Sequence, residues 1–303
     1  MSSPSRPDTA VVTVTYNSNA VIDAFLGSVR ADVGDEVEIV VADNGTRDIE
    51  ALRTITRRHG ARLLELPQNV GYGAGMNAGV RALDTSYRYV LLSNPDVRVG
   101  AGAVEELARI LDADRDAAAA GPRILNEDGT VYPSARRLPS LRTGVGHSLL
   151  EPIWAGNPWT RSYHEEDYSG VRTAGWLSGA CLMVRRSAFD AMGGFDDGYF
   201  MYFEDVDLGL RIGRSGWKNL YDPEASVTHT GGHSTAEVSD RMLKIHHDSA
   251  YRYLSKRYGK LYHAPLRWIL RAGLAARMQV LIRRNRRRGA AGSGVTALPG
   301  PRG

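Results

Sequence analysis

The sequence predicts an α/β fold with a mostly parallel sheet flanked by helices and followed by C-terminal helices. Strand-like and helical segments alternate through the first 125 residues, which is typical of a parallel sheet covered on both faces. Two further helical patterns lie near the end, Ser239 to Tyr258 and Leu266 to Asn285. A chain of 303 residues is long enough for one large domain with an appended segment.

The individual elements follow from the pattern of apolar residues. Buried strands are continuous apolar runs, whereas helices have apolar residues every three or four positions. The predicted strands of the first half are TAVVTVTY (9–16), EVEIVVAD (36–43), ARLLEL (61–66), YRYVLLS (87–93) and AAAAGPRIL (117–125). The helices between them are marked by Val21 to Val29, Ile49 to His59, GAGMNAGVRAL (73–83) and Val104 to Leu111.

The alternation stops after Leu125. Residues 136–172 show no period, which predicts a long loop near a site. Strand-like and helical patterns resume at GWLSGACLMVRR (175–186). The predicted organisation is therefore a flexible N-terminus (1–8), a main domain (9–238), a basic helical segment (239–288) and a disordered tail (289–303).

Composition excludes several classes of protein. The net charge is +4, but subtracting the five arginines of Arg283 to Arg288 leaves −1 for the rest, so nucleic acid is not an expected partner. The only cysteine, Cys181, lies in an apolar run, which favours a buried thiol in a reducing compartment. No signal peptide or membrane span is apparent, so we expect a cytoplasmic protein.

Polar residues follow three of the predicted strands. Thr15 and Asn17 close the first strand, Asp43 closes the second, and Asn94 and Asp96 close the fourth, where Pro95 ends the strand. The carboxyl ends of parallel strands meet at one edge, where α/β proteins bind ligands, and a carboxylate after the second strand commonly holds a ribose or a base. The alternative is that each is an ordinary polar turn.

The segment NVGYGAGMNAG, Asn69 to Gly79, is rich in glycine. It differs from the dinucleotide-binding fingerprint, which follows the first strand and has another spacing. Its glycines would instead allow backbone N–H groups and a helix N-terminus to approach a diphosphate. Close packing of the helix on the sheet explains Gly75 and Gly79 nearly as well.

The segment MYFEDVDLGLR places Glu204, Asp207 and Arg211 on one helical face and leaves Asp205 on another. Asp207 and Arg211 have the spacing of a stabilising ion pair. Acids at a helix start often serve only as caps and dipole partners. Asp205 is the carboxylate left available for chemistry.

In their order along the chain, these motifs resemble those of the inverting family 2 glycosyltransferases of GT-A fold. The resemblance covers about residues 9–258 and is carried by VVTVTYNS, VVADNGT, NVGYGAGMNAG, LLSNPDV, GWLSGACLMVRR, GGFDDGYFMYFEDVDLGLR and VTHTGGHS. More narrowly, the chain is similar to bacterial rhamnosyltransferases that use dTDP-L-rhamnose and act on polyprenyl-diphosphate-linked N-acetylglucosamine. The main domain would then be the catalytic domain, acting in cell-wall biosynthesis.

The resemblance implies a donor site and a metal site. The nucleotide-sugar site would comprise Thr15, Asn17, Asp43, Asn69, Gly71, Asn77, Asn94 and Asp96. Asp96 corresponds to the last acid of the family's metal motif and His229 to its downstream histidine, so they would hold Mn²⁺ or Mg²⁺ beside the departing diphosphate. Asn94 stands where many members have a first aspartate, which weakens the expected metal affinity.

The implied reaction is a single displacement at the anomeric carbon with inversion. Asp205 would deprotonate the acceptor hydroxyl, and Trp176, Gly179 and Glu204 would shape the acceptor site. A sugar-phosphate nucleotidyltransferase would need a different glycine-rich loop after the first strand. A transferase with another donor and a non-catalytic sugar-nucleotide-binding or membrane-adaptor protein remain as alternatives.

The C-terminal segment suggests peripheral contact with the inner face of the cell membrane. Trp268 and a face of Leu270, Leu274, Met278 and Leu281 precede the arginine run. An apolar helix face with adjacent basic residues can bind an anionic lipid surface. An ordinary packing helix is the alternative, and the sequence leaves formation of a homodimer open.

Overall fold

The computed structural model describes residues 8–140, 168–231 and 240–292. The flexible N-terminus predicted for 1–8, most of the predicted loop at 136–172 and most of the predicted tail lie outside these residues. The described chain divides into two compact units. The first contains the residues up to Phe200 together with Glu204–His233, and the second contains Met201–Phe203 and the residues from Ser234 onward.

The first unit has the alternating elements that the sequence predicts. In its first half these are β1 (Thr9–Thr15), α1 (Asn19–Val33), β2 (Ile39–Asp43), α2 (Ile49–Arg58), β3 (Arg62–Glu65), α3 (Tyr72–Ala82), β4 (Tyr89–Ser93), β5 (Val97–Val99), α4 (Ala103–Ala113) and β6 (Ala117–Leu125). The second half contains β7 (Val131–Tyr132), β8 (Ala135–Arg136), β9 (Arg172–Ala174), β10 (Trp176–Leu177), β11 (Cys181–Arg185), α5 (Arg186–Ala191), α6 (Glu204–Arg214) and β12 (Lys218–His229).

The central sheet follows the order β3-β2-β1-β4-β11-β6-β12-β5. Strands β3, β2, β1 and β4 are mutually parallel, and β6 is parallel to β12. Strand β11 runs antiparallel to both β4 and β6, so it joins the two parallel parts in the opposite direction. The predicted mostly parallel sheet with flanking helices is confirmed.

Two hydrophobic clusters cover the two faces of the sheet. Alternate residues of a strand belong to different clusters: Val11 packs with Phe25 and Leu26 of α1, whereas Val12 packs with Met76 of α3. This alternation follows from the two-residue period of a strand, and it gives each face its own layer of helices. A Cβ on Gly79 would lie 2.4 Å from Val12 Cγ1, which supports the helix-packing explanation for that glycine.

The second unit contains α7 (Asp240–Arg257), a short 3₁₀ helix (Leu261–His263) and α8 (Ala264–Gly292). Helix α8 continues to Gly292, past the predicted start of the tail at 289. The predicted division of the chain into a main domain, a basic helical segment and a tail remains a prediction. None of the described helices combines the length and apolar character needed to span a membrane.

The apolar face predicted for α8 is not freely exposed. Leu270, Leu274, Met278 and Leu281 are half-buried, and α8 packs against α7. The most exposed apolar side chains of this unit lie elsewhere, at Leu261, Tyr262, Trp268 and Ile269.

Candidate active site

The polar ends of β1, β2 and β4 meet at one edge of the sheet. In the parallel register Thr15 lies opposite Asp43, and Thr13 lies opposite Ser93, the last residue of β4. The predicted juxtaposition of the three strand ends is thereby confirmed. This is the edge at which open α/β sheets bind ligands.

Strand β11 brings a further segment to the same edge. Because it is antiparallel to β4, its first residue, Cys181, pairs with Ser93. The Asn94 N–H donates to the carbonyl of Ala180 over 2.9 Å, so the segment before β11 lies beside the predicted metal motif. Gly179 therefore joins the edge through strand direction, which the sequence did not reveal.

Asp205, the predicted base, is held by backbone N–H groups. Its Oδ2 accepts from Gly179 over 2.9 Å, and its Oδ1 accepts from Val206 over 2.8 Å. Burial raises the pKa of Asp205, whereas these N–H groups and the charge of Arg136 oppose that rise. The carboxylate is thus oriented by the strand segment and helix α6 together, with an elevated proton affinity that suits a general base.

Glu204 is a second buried carboxyl group next to Asp205. Burial, followed by the charge of Asp205, raises the pKa of Glu204 to about 8, and its Oε2 has no hydrogen-bond partner. The residues immediately before it, Tyr202 and Phe203, have φ values of 69° and 66°. Such left-handed conformations in non-glycine residues are strained and often occur at functional sites.

Tyr72 links the acidic residues to helix α3. Its hydroxyl donates a hydrogen bond to the Gly179 carbonyl. Burial raises the pKa of Tyr72 well above its usual value, and the charges of Glu204, Asp205 and Asp96 add to the effect. The hydroxyl therefore remains protonated and lies within electrostatic range of all three acids.

Asp96 and His229, the predicted metal ligands, are in contact. His229 Nε2 lies 3.0 Å from Asp96 Oδ1 and 3.5 Å from Asn94 Nδ2. The contact arises because His229 ends β12 and pairs with Val97 of the antiparallel strand β5. A Cβ at Gly231 would lie 1.6 Å from Asp96 Oδ2, so a larger residue at this position would displace the carboxylate.

The fit of a divalent cation rests on this donor pair. A carboxylate oxygen and an imidazole nitrogen that converge suit Mn²⁺ or a similar cation. Among the described residues, no group of three or more His, Cys, Asp and Glu side chains is arranged as a metal site. Asp96 and His229 therefore supply two converging donor atoms, fewer than a complete cation site needs.

The predicted nucleotide-binding residues of β1 and β2 form a compact turn. Asp43 accepts from the Gly45 N–H over 3.1 Å and from the Thr46 hydroxyl over 2.5 Å. Thr46 Oγ1 in turn accepts from the N–H of Asn17 over 3.0 Å. Thr15 Oγ1 is buried without a partner, which leaves a polar atom available at this edge.

The glycine-rich segment is shaped by close backbone approach. Gly71 has a φ of 88°, and a Cβ there would lie 2.1 Å from the carbonyl oxygen of Phe200. The Gly71 N–H donates to the side-chain oxygen of Asn69 over 3.0 Å. Asn77 is only 3% exposed, and its amide bonds to the Phe195 backbone and to Asp197. The amide of Asn77 thus joins α3 to the segment after α5.

Trp176 lies in strand β10, three residues before Gly179. Its indole N–H donates to the Arg137 carbonyl over 3.2 Å, and the Arg136 guanidinium lies 5.8 Å from its ring centre. The side chain is largely buried, with 8% exposed. The structure therefore places Trp176 as a support for the strand that precedes Gly179.

Three residues of this edge were missed by sequence reasoning: Tyr72, Thr46 and Arg136. An aromatic residue between two glycines at a helix start was the available signal for Tyr72. Thr46 lies in the turn after β2 and accepts a hydrogen bond from the N–H of Asn17, which is 29 residues away in the sequence. No sequence signal identified Arg136, because its approach to Asp205 depends on the β8–β10 pairing.

Comparison with known proteins agrees with this geometry. Residues 10–193 match the family described as Glycosyl transferase family 2. The N-acetylglucosaminyl-diphospho-decaprenol L-rhamnosyltransferase of Mycobacterium tuberculosis is 41% identical over 92% of this chain and 94% of its own length. Rhamnosyltransferase WbbL of Escherichia coli is 28% identical over 82% of this chain and 92% of its own.

A solved structure supports the fold independently. The mannosyltransferase PcManGT from Pyrobaculum calidifontis, in complex with GDP-Man and Mn²⁺, has a TM-score of 0.58 and 16% identity, covering 97% of this chain and 77% of that one. The architecture is thus that of the GT-A glycosyltransferases. By its sequence match and by its fold, the chain belongs to glycosyl transferase family 2 and is a glycosyltransferase enzyme.

Proposed function

We propose that this enzyme transfers L-rhamnose from dTDP-L-rhamnose to a polyprenyl-diphosphate-linked N-acetylglucosamine, with inversion, in cell-wall linker biosynthesis. The observation that carries the proposal is the position of Asp205, a half-buried carboxylate that backbone N–H groups hold at the same sheet edge as the Asp96–His229 pair. The 41% identity to the mycobacterial rhamnosyltransferase supports the choice of donor and acceptor.

In the proposed reaction, Asp205 accepts the proton of the acceptor hydroxyl. The acceptor oxygen forms a bond to the anomeric carbon while the bond from that carbon to the dTDP oxygen breaks, and the electron pair leaves with the diphosphate. Because attack and departure occur on opposite faces, one step inverts the configuration. Burial of Asp205 raises its proton affinity and so favours this transfer.

Glu204 would act on the acceptor without taking its proton. With a pKa of about 8, its carboxyl group is mostly protonated at neutral pH and can donate a hydrogen bond. The Tyr72 hydroxyl holds the Gly179 carbonyl, and the Gly179 N–H holds Asp205. These contacts orient the base before the acceptor arrives, which lowers the cost of reaching the reactive geometry.

Asp96 and His229 would hold a divalent cation, Mn²⁺ or Mg²⁺. Such a cation, when bound, offsets the negative charge that develops on the leaving diphosphate. The unpaired hydroxyl of Thr15, at the end of β1, and the backbone at Gly71, which precedes α3, would contact the donor.

A donor panel tests the proposal. Purified full-length protein is incubated with a short polyprenyl-diphosphate N-acetylglucosamine and with dTDP-L-rhamnose, UDP-glucose or GDP-mannose, and the products are identified by mass spectrometry. We expect a single added rhamnose from dTDP-L-rhamnose. Transfer of another sugar would show that the donor is not dTDP-L-rhamnose. Binding of dTDP-L-rhamnose without any transfer would support the adaptor alternative and contradict the proposal.

A second experiment tests the cation. Asp96→Ala should abolish the tightening of dTDP binding by Mn²⁺, whereas Asn94→Asp should strengthen it because a second carboxylate adds negative charge. Calorimetry with and without the metal measures both effects, and Asp116→Ala, which changes an exposed acid just before β6, serves as the control. Unchanged wild-type binding and activity in EDTA would contradict the metal role.

The second unit would provide peripheral contact with the inner face of the cell membrane. Leu261 is 90% exposed, and Tyr262, Trp268 and Ile269 are each at least 69% exposed. These residues precede the arginine run from Arg283 to Arg288, and basic residues near an anionic surface each contribute about 1 kcal/mol. This set replaces the half-buried Leu270 face as the proposed membrane contact.

Truncation after Tyr262 should weaken binding to anionic liposomes and slow transfer to a long polyprenyl acceptor more than to a short soluble analogue. The double variant Trp268→Ser and Ile269→Ser should reproduce part of the loss, with Val131→Ser, an exposed apolar residue of the first unit, as its control. Co-sedimentation at low and high salt measures the effect. Equal liposome binding by truncated and full-length protein would exclude this contact.

A further inference from the structure

A cavity of about 330 Å³ lies at the edge of the sheet opposite the candidate active site. Strand β4 begins there and β11 ends there, since Arg185 pairs with Tyr89 in their antiparallel register. The same two strands have their other ends at Ser93 and Cys181, beside the site. The lining includes three cations and three hydroxyls, Arg88, Arg185, Arg186, Thr85, Ser86 and Ser187.

Arg185 brings positive charge to the cavity without an ion pair in the described part of the chain, although it lies near enough to Asp112 and Asp114 to lower the pKa of both carboxyl groups. Its guanidinium donates to the carbonyls of Ala117 and Leu111 over 3.0 and 2.5 Å, and it forms no ion pair with a carboxylate of the described residues. Carbonyl oxygens fix its position without neutralising it. Arg88 differs, because its guanidinium is paired with Asp8 and Asp112. The excess charge of the cavity therefore comes from the β11 end.

Arg186 is the second source of positive potential. It is only 8% exposed, and its Nε donates to Asp190 Oδ2 over 2.7 Å. Its Nη1 is buried and has no hydrogen-bond partner. A buried donor without an acceptor is unfavourable, and an anionic oxygen in the cavity would satisfy it.

The chemistry of the lining selects the class of ligand. Guanidinium groups together with hydroxyls are the usual donors to phosphate oxygens. Asp190 is the one acid among the lining residues and is already paired, which argues against a cation as ligand. The volume lies at the lower end of the range for small-molecule sites, roughly 300–1,000 Å³, so a phosphate with a small attached group would fit.

We propose that this cavity binds the phosphate group of a small molecule, at a site separate from the donor and acceptor sites. The proposal does not depend on which sugar the enzyme transfers. It rests on the guanidinium of Arg185, which has no ion pair among the described residues, on the unsatisfied Nη1 of Arg186 and on the hydroxyls beside them.

Calorimetric titration of the full-length protein with inorganic phosphate, at constant ionic strength set by NaCl, tests the proposal. We expect saturable binding that persists when dTDP is present at saturation. Arg186→Gln and Ser187→Asp should each weaken it by at least about tenfold, through loss of a charged donor and through repulsion. Arg58→Gln, an exposed surface arginine in an ion pair with Asp23, should leave it unchanged.

A second titration, with phosphatidylcholine vesicles that contain phosphatidic acid, distinguishes a lipid headgroup from a free phosphate. If a probe binds to the wild type and Ser187→Asp abolishes that binding, the site is supported. The probe that binds then shows whether the phosphate belongs to a lipid headgroup or to a free phosphate. Ser187 is exposed, so this variant should fold even if Arg186→Gln does not. Absence of saturable binding by both probes, displacement of phosphate by dTDP, or equal binding by wild type and Ser187→Asp would overturn the proposal.

Discussion

Helix α6 contains two acidic regions with opposite environments. Its first two residues are Glu204, which is buried, and Asp205, which is half-buried, and neither forms an ion pair among the described residues. Two residues further on, in the same first turn, Asp207 is fully buried and forms a 2.7 Å ion pair with Arg211. Both regions lie in the same helix, so the helix dipole cannot account for the difference.

Asp207 stabilises the fold, whereas the desolvation of Glu204 and Asp205 costs free energy of folding. Asp207 also accepts from the Tyr199 hydroxyl at 3.4 Å, and Arg211 donates to the Met192 carbonyl, so this pair joins α6 to the residues after α5. The predicted ion pair is confirmed. Neither Glu204 nor Asp205 has an ion pair of this kind in the described chain: Glu204 Oε2 has no hydrogen-bond partner, and Asp205 is held by backbone N–H groups with the charge of Arg136 nearby. Raised pKa values of this kind are expected of residues retained for chemistry.

Asp207→Asn should cause the largest change. Removal of one partner from a buried ion pair leaves the other charge uncompensated, and we expect a loss of about 3 kcal/mol of stability. Urea denaturation measures it. Arg211→Gln is the matched variant, and the double variant should lose less than the sum of the two. A loss below about 0.5 kcal/mol would show that Asp207 is not a structural acid.

Asp205→Asn should reduce turnover strongly and stability little, which is the opposite of the result expected for Asp207→Asn. The amide is nearly isosteric but cannot accept the proton, so turnover should fall by roughly 10² or more while dTDP affinity and melting temperature change little. Steady-state kinetics and calorimetry on the same preparation separate the two effects. A turnover close to that of the wild type would show that Asp205 is only a helix cap.

The stability of the fold should depend on pH through Glu204. Its pKa in the folded protein is about 8, above the ordinary value of 4.5, so the folded state retains a proton that the unfolded chain has released. Stability from this group is complete below pH 4.5 and is lost as pH rises to about 8, by at most about 1.4 kcal/mol per pH unit. Thermal melts of wild type and Glu204→Gln across that range should diverge, and parallel profiles would contradict the shift.

Gly179→Ala should have the smallest effect on stability. The added Cβ would lie 3.4 Å from Tyr72 Cε1 and 3.5 Å from Asp205 Oδ2, which is ordinary contact, so we expect a change below about 0.5 kcal/mol. The methyl group would nevertheless occupy space beside the base. KM for the acceptor should rise while KM for dTDP-L-rhamnose stays constant. A rise in both would assign Gly179 to general packing.

Most of the fold could be predicted because its signals are local. The strands that end at Thr15, Asp43 and Ser93 are continuous apolar runs, and their parallel direction follows from the helices between them. The polar residues after them were therefore placed at one edge correctly. The predicted roles of Asn17, Asp43 and Asn69 remain predictions, since the structure shows these side chains mainly in hydrogen bonds within their own turns.

The acceptor side was harder to predict because its contacts are distant in sequence. Gly179 lies 26 residues from Asp205 and 107 residues from Tyr72, yet all three are joined by hydrogen bonds. Their meeting depends on the reversed direction of β11, which an apolar run alone does not specify. Likewise, the contact of His229 with Asp96 spans 133 residues and depends on the β12–β5 register.

By itself, the sequence determined the α/β architecture, the Asp207–Arg211 pair and the identity of the acids at the sheet edge, since these depend on period, spacing and residue type over a few positions. Only the tertiary structure decided which of those acids are desolvated, and therefore which pKa values rise. Desolvation depends on what packs around a carboxyl group from the whole chain, and no local pattern contains that information.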